Sequence, residues 1–138
     1  MGEDAAQGVT GETIWLDGEF VDWDDAQVHI LTHSLHYGLG VFEGIRCYRT
    51  EDGRSAVFRL PEHVKRLFDS AHINLLEVPY STERITEVTL ECLRRNNLSE
   101  GYIRPLVFIG DGAMGMNPGD IAIRVSVNAW AWGKYQGD

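Results

Sequence analysis

The segment His33-Ser34-Leu35-His36-Tyr37-Gly38-Leu39-Gly40-Val41-Phe42-Glu43-Gly44-Ile45-Arg46 gathers groups that could do chemistry. Its two histidines, three apart, could share a helical face and offer a metal two imidazoles. Zinc sites usually add further Cys, His or carboxylate ligands at suitable spacing, and nothing here fixes one, so the segment reads as a turn and a strand with no metal. Glycines at 38, 40 and 44 let a neighbour or a ligand approach the backbone closely. They do not form GxGxxG, since the third would fall at Glu43, and no Walker motif is present. Further along, Tyr102 and Arg104 stand at i and i+2, so on a strand a phenol and a guanidinium point to one face. The amines are few: Lys65 and Lys134 are the only lysines. The two thiols, Cys47 and Cys92, lie in no CxxC pair and beside no histidine cluster. They read as reduced, buried thiols of a cytoplasmic protein.

The elements that must position these groups follow from pattern. Thr13 to Leu16 and Glu19 to Val21 flank Asp17-Gly18, a pair suited to the positive φ angles of a tight hairpin turn. Val41 to Tyr48 reads as one strand, turning at Glu51-Asp52-Gly53-Arg54 into a second at Ala56 to Arg59. Pro61 suits the first turn of a helix, with Glu62 beside it to match the helix dipole. Val64, Leu67, Phe68 and Ala71 then form its buried stripe. A second helix starts at Ser81 or Thr82 and buries Ile85, Val88, Cys92 and Leu93. Arg94 and Arg95 lie near its end and Asn96-Asn97 stop it. Strands return at Tyr102 to Ile109 and Ile121 to Val127, around a glycine-rich loop from Gly110 to Gly119. The order predicts an α+β domain, a largely antiparallel sheet with two helices packed on one face. Residues 1–12 read as a flexible tail, 13–127 as the small α+β domain and 128–138 as a connection.

The chain has 138 residues, 43% of them hydrophobic and 10% aromatic, enough for one domain with a real core. No run approaches the roughly 18 apolar residues needed to span a bilayer, and the N-terminus lacks the basic and apolar regions of a secretory signal. A formal net charge of −9 argues against nucleic acid and against a polybasic membrane anchor. Trp130, Trp132 and Tyr135 crowd the last residues, where large aromatics are expected to be covered by further protein.

Four stretches, in order, resemble the branched-chain amino-acid aminotransferases of the fold-type IV pyridoxal-phosphate enzymes. They are the run from His33 to Arg46, Glu62-His63-Val64-Lys65-Arg66-Leu67, Tyr102-Ile103-Arg104-Pro105 with Gly115-Met116-Asn117-Pro118, and Trp130-Ala131-Trp132-Gly133-Lys134-Tyr135. Each alone is a weak signal; the ordered set, covering about Thr13 to Asp138, is specific. The resemblance implies the small N-terminal domain of such an enzyme, which moves the amino group between leucine, isoleucine or valine and 2-oxoglutarate.

On that resemblance Arg66 holds the 5′-phosphate of pyridoxal phosphate, for which a planar guanidinium is well suited. Tyr102 helps hold the substrate α-carboxylate, and Arg104 meets the side-chain carboxylate of glutamate or 2-oxoglutarate. Phe42, Trp132 and Tyr135 line the aliphatic pocket with Gly44 in the substrate site, while Trp130 reads as core. Tyr37 and Met116 reach the pocket of the neighbouring subunit, in a family that is dimeric with shared sites; it often carries another apolar residue at the Met116 position. Such an enzyme needs a lysine amine. Neither Lys65 nor Lys134 matches it, which places the catalytic lysine in a C-terminal domain beyond Asp138 and leaves this chain inactive alone. D-amino-acid and amine transaminases and aminodeoxychorismate lyases of the same fold type are alternatives, as is a non-catalytic dimerisation module.

Overall fold

A computed structural model describes residues 8–131. It contains seven strands, β1 (Thr13–Leu16), β2 (Glu19–Asp22), β3 (Gly40–Phe42), β4 (Ile45–Arg49), β5 (Ser55–Val57), β6 (Gly101–Ile109) and β7 (Ile123–Trp130). Three helices, α1 (His33–Tyr37), α2 (Leu60–Ile73) and α3 (Thr82–Arg95), and a 3-10 turn at Trp23–Asp25 complete it. The strands form one sheet in the order β2-β1-β7-β6-β4-β5, with β3 also beside β6. Every pairing is antiparallel, which bears out the α+β expectation.

The core lies on one side of the sheet. Alternate residues of the central strands, Ile103, Val107 and Ile109 on β6 and Val125, Val127 and Ala129 on β7, are buried with Val64, Leu67 and Ala71 of α2 and Ile85, Val88 and Cys92 of α3. The other residues of those strands face away from the helices, as the two-residue period of a strand requires. Both helices follow from sequence. Pro61 and Glu62 sit in the first turn of α2, and the Ser81 side chain caps α3 by accepting from the Arg84 amide at 3.1 Å. The Asp17-Gly18 turn takes φ of 50° and 104°, as its hairpin demands.

The expected strand from Val41 to Tyr48 is interrupted at Glu43-Gly44. Its register against β6 runs unbroken, since Phe42 faces Leu106 and Ile45 faces Ile103. Glu43 therefore stands opposite Pro105, a residue with no N–H to give the ladder. One bond survives there, from the Glu43 amide to the Pro105 carbonyl at 3.1 Å. Three further differences concern ends and short pieces. β5 stops at Val57 because Arg59 turns to a left-handed φ of 55° before α2. β7 runs on through Asn128, Ala129 and Trp130, which pair with Arg104, Ile103 and Tyr102. The helix α1 has no periodic apolar stripe to announce it, and is held instead by hydrogen bonds to the loop after β6.

At the start of the described chain, Asn96 joins α3 to β1. Its side-chain oxygen accepts from the amides of Glu12 at 2.8 Å and Thr13 at 3.1 Å. Its amide donates to the carbonyls of Thr13 at 3.0 Å and Cys92 at 2.8 Å. Cys47 and Cys92 are both buried free thiols. Burial pushes the Cys92 thiol up to about 11.

Candidate functional site

The sheet face opposite the helices carries four of the expected site residues, Phe42, Gly44, Tyr102 and Arg104. Strand alternation puts Phe42 and Gly44 on that face, and their neighbours on β6 and β7 add Tyr102, Arg104, Asn128 and Trp130. Arg104 is the centre of this group. Its Nη2 donates to the Tyr102 hydroxyl at 2.8 Å, and its guanidinium lies 4.3 Å from the Phe42 ring centroid and 5.4 Å from that of Tyr102. An arginine held over an aromatic ring makes a cation–π contact there and keeps directed N–H donors. Its Nε is buried and has no hydrogen-bond partner among the described residues. The Asn128 amide donates to the Arg104 carbonyl at 3.2 Å, and the Trp130 ring packs 5.0 Å from Tyr102. Trp130 is thus partly exposed on the same face as Tyr102, and the core reading of this residue does not hold. Gly44 sits directly under Tyr102: a Cβ there would run into the tyrosine hydroxyl. Trp132 and Tyr135 lie outside the described residues.

Arg66 stands on the other side of the sheet, on α2. Glu43, the residue after Phe42, points inward and is only 5% exposed. It accepts from Arg66 Nε at 2.6 Å and Nη2 at 2.8 Å and lies 2.9 Å from His63 Nδ1. Burial pushes the Glu43 carboxyl up, but hydrogen bonds and charge from Arg66 and His63 outweigh this and hold it below its ordinary 4.5. The same contact raises the Arg66 guanidinium. Nε and Nη2 are held by Glu43, and Arg66 lines a shallow cleft of about 310 Å³ together with Arg59, Glu62 and His63. In the sequence Glu43 was only an acid after an aromatic; what paired it with Arg66 is the inward alternation of its strand against α2.

Tyr37 and Met116 form a third group. The Tyr37 hydroxyl donates to the Met114 carbonyl at 2.6 Å, and Met116, two residues on, is 82% exposed. Ile30, Leu31 and Leu35, on α1 and the turn before it, are exposed apolar side chains as well. Among the described residues no set of three or more His, Cys, Asp or Glu could hold a metal ion, and no helix is long and apolar enough to cross a membrane. Lys65 pairs with Asp69 at 2.6 Å on the surface of α2; Lys134 lies outside the described residues.

Comparison with known proteins bears on the family and the fold. Residues 40–138 match the model of the family described as amino-transferase class IV. The chain is 52% identical over 125 residues to a branched-chain-amino-acid aminotransferase of Pseudomonas aeruginosa, covering 91% of this chain and 40% of that protein. Among solved structures, the Escherichia coli branched-chain amino acid aminotransferase superposes with a TM-score of 0.88 at 46% identity, over 93% of this chain and 42% of that one. A second solved branched-chain amino acid aminotransferase, complexed with N-(5′-phosphopyridoxyl)-L-glutamate, gives 0.86 at 43% identity, over 91% and 42%. The chain therefore spans about 40% of the length of the curated relatives it matches.

Proposed function

The chain belongs to the class IV aminotransferases, and on that premise we propose that it is the N-terminal part of an enzyme moving the amino group between leucine, isoleucine or valine and 2-oxoglutarate. The observation that carries this reading is the stack of Arg104 on Phe42 beside Tyr102. Such a site must take an aliphatic side chain in one half-reaction and a carboxylate in the other. A guanidinium held over an aromatic ring serves both: the ring is apolar surface, and the guanidinium N–H groups bind a carboxylate. The name of the Pseudomonas relative and the glutamate adduct in the second solved enzyme are consistent with these two substrates.

In this reading Arg104 meets the side-chain carboxylate and Tyr102 helps hold the α-carboxylate. Phe42, Gly44, Trp132 and Tyr135 shape the substrate pocket. The cofactor is pyridoxal phosphate, and Arg66 holds its phosphate. The donor set fits that role, because two Arg66 nitrogens are fixed by Glu43, Nη1 is not used by that pair, and Arg66 lines one cleft with Arg59 and His63. Part of the Arg66 charge is engaged by Glu43, so this chain's share of phosphate binding is weak and needs further donors from outside it. When bound, pyridoxal phosphate supplies the aldehyde and electron-withdrawing ring that carry the amino group. The lysine this chemistry needs is assigned to sequence beyond Asp138. Tyr37 and Met116 are assigned to the pocket of a second subunit, which makes the enzyme at least a homodimer; we place it in the cytoplasm.

The test is a donor panel with 2-oxoglutarate, run on the full-length enzyme carrying this sequence. L-leucine, L-isoleucine and L-valine are expected to give the highest kcat/KM. A higher value with D-alanine or with a simple amine would move the enzyme to another branch of the fold type.

A further inference from the structure

The imidazole of His33 is 1% exposed although α1 is only five residues long. Its Nε2 lies 2.8 Å from the carbonyl oxygen of Gly115. A carbonyl can only accept, so Nε2 carries a hydrogen, which leaves Nδ1 as the other polar atom of the ring. That Nδ1 is buried with no hydrogen-bond partner among the described residues. The ring therefore gives up one of its two polar atoms to make a single bond, a cost a core histidine does not incur without cause. One turn later on the same helix face, Tyr37 packs against the imidazole with ring centroids 4.5 Å apart. Its hydroxyl takes the preceding carbonyl, that of Met114, at 2.6 Å. Two side chains of α1 thus grip two consecutive carbonyls of the loop between β6 and β7. The base of that loop is tied to the same helix, by the His33 amide to the Gly110 carbonyl at 2.9 Å and the Ile109 amide to the Ser34 hydroxyl at 2.8 Å. Met116 follows the gripped residues directly and projects, 82% exposed.

We infer that His33 is a positioning residue for substrate selection, its Nε2–H fixing the Gly115 carbonyl and so setting where Met116 projects. The inference rests on the assignment of Met116 to a neighbouring subunit's pocket. Tyr37 has a double part here, holding the loop at Met114 while itself standing in that pocket. His33 touches no substrate; it acts by removing freedom from the backbone on which Met116 stands, which favours binding of an aliphatic side chain over an ensemble of loop positions.

His33→Gln and His33→Leu separate the bond from the bulk. A glutamine amide reaches the position of Nε2 and can donate to Gly115; leucine fills the space and donates nothing. In the full-length holoenzyme, hydrogen exchange of the amides at 114–117 should rise about tenfold in the leucine variant, the worth of one buried hydrogen bond, and stay near wild type in the glutamine variant. Exchange in β6 and β7 should be unchanged in both, which shows that the sheet is intact. The KM for leucine should rise about five- to tenfold in His33→Leu with kcat within about twofold, and His33→Gln should restore it. Combined with Met116→Ala, His33→Leu should add no further loss, because both act through one side chain.

Unchanged loop exchange in His33→Leu would overturn the clamp. Raised exchange with an unaltered KM, in an enzyme where Met116→Ala does raise it, would overturn the role in selection. If Met116→Ala itself leaves leucine kinetics untouched, the pocket assignment fails and the inference with it, and the exchange data then show separately whether the bond orders the loop.

Discussion

Replacing Arg104 by alanine is the most direct trial of the two-substrate reading, because that reading separates what each substrate would lose. In that reading both substrates depend on the orientation of Tyr102. Removing the 2.8 Å bond from Arg104 to its hydroxyl costs about 1 kcal/mol, or roughly fivefold. Only glutamate also loses a charge-assisted partner for its side-chain carboxylate. Arg104 is half-buried, so that loss is set at about 1.5–3 kcal/mol, the range for hydrogen bonds to charged groups, or roughly 10- to 150-fold in kcat/KM. The expected result is a fall of about fivefold for leucine and at least about fiftyfold for glutamate. Arg104→Met is the control for packing, since its unbranched chain still covers the Phe42 ring that the guanidinium now faces at 4.3 Å; it should show the same discrimination. The assay is steady-state transamination run in each direction with pyridoxal phosphate saturating. Equal losses for the two substrates would remove Arg104 from dicarboxylate recognition and leave it a support for Tyr102.

Three other substitutions probe neighbouring features. Gly44→Ala places a Cβ against the Tyr102 hydroxyl and 3.1 Å from its ring carbon Cζ; it should lower kcat/KM for both substrates by about tenfold while destabilising the fold by only about 1 kcal/mol in urea unfolding, because a mobile ring tip can yield. Asn96→Ala strands the amides of Glu12 and Thr13 and takes one donor each from the carbonyls of Thr13 and Cys92, the latter keeping the residue-96 backbone amide, and should cost about 2–4 kcal/mol in urea unfolding; a loss under about 0.5 kcal/mol would show that the hub contributes little. Glu43 has a folded-state carboxyl held below its ordinary 4.5, so its contribution is complete above that value and disappears as pH falls through the lower folded value. Glu43→Gln should therefore be the less stable protein at pH 7, with a gap that narrows on acidification below about 4.5, read by thermal melts across pH.

Local features were legible in the sequence and pairings were not. Asp17-Gly18, Pro61-Glu62 and Ser81 announce their turn and helices because each acts within a few residues of itself. Tyr102 and Arg104 could be set on one face from spacing alone, and the hydrogen bond between them follows from that. The break at Glu43-Gly44 could not be foreseen from 41–48, because its cause, Pro105, lies on another strand and matters only through register. For the same reason Glu43 was not connected to Arg66, nor Asn96 to Glu12 and Thr13. The bounds of α1 were hidden because five residues have no period to show, and what holds them is a segment 75 to 82 positions further on. The β7 extension was missed since Asn128-Ala129-Trp130 lacks alternation, and becomes strand only by pairing with β6.

The gap in the ladder at Pro105 has a consequence for how this protein can change. Two adjacent residues there serve opposite sides of one sheet: Glu43 reaches inward to Arg66, and Gly44 opens space outward for Tyr102. Their backbone is held to β6 by the single bond from the Glu43 amide, so the pair can shift together more easily than the fully laddered residues on either side. A substitution at either position is therefore read on both faces, and neither the cation on α2 nor the phenol on β6 can be tuned through this segment without the other.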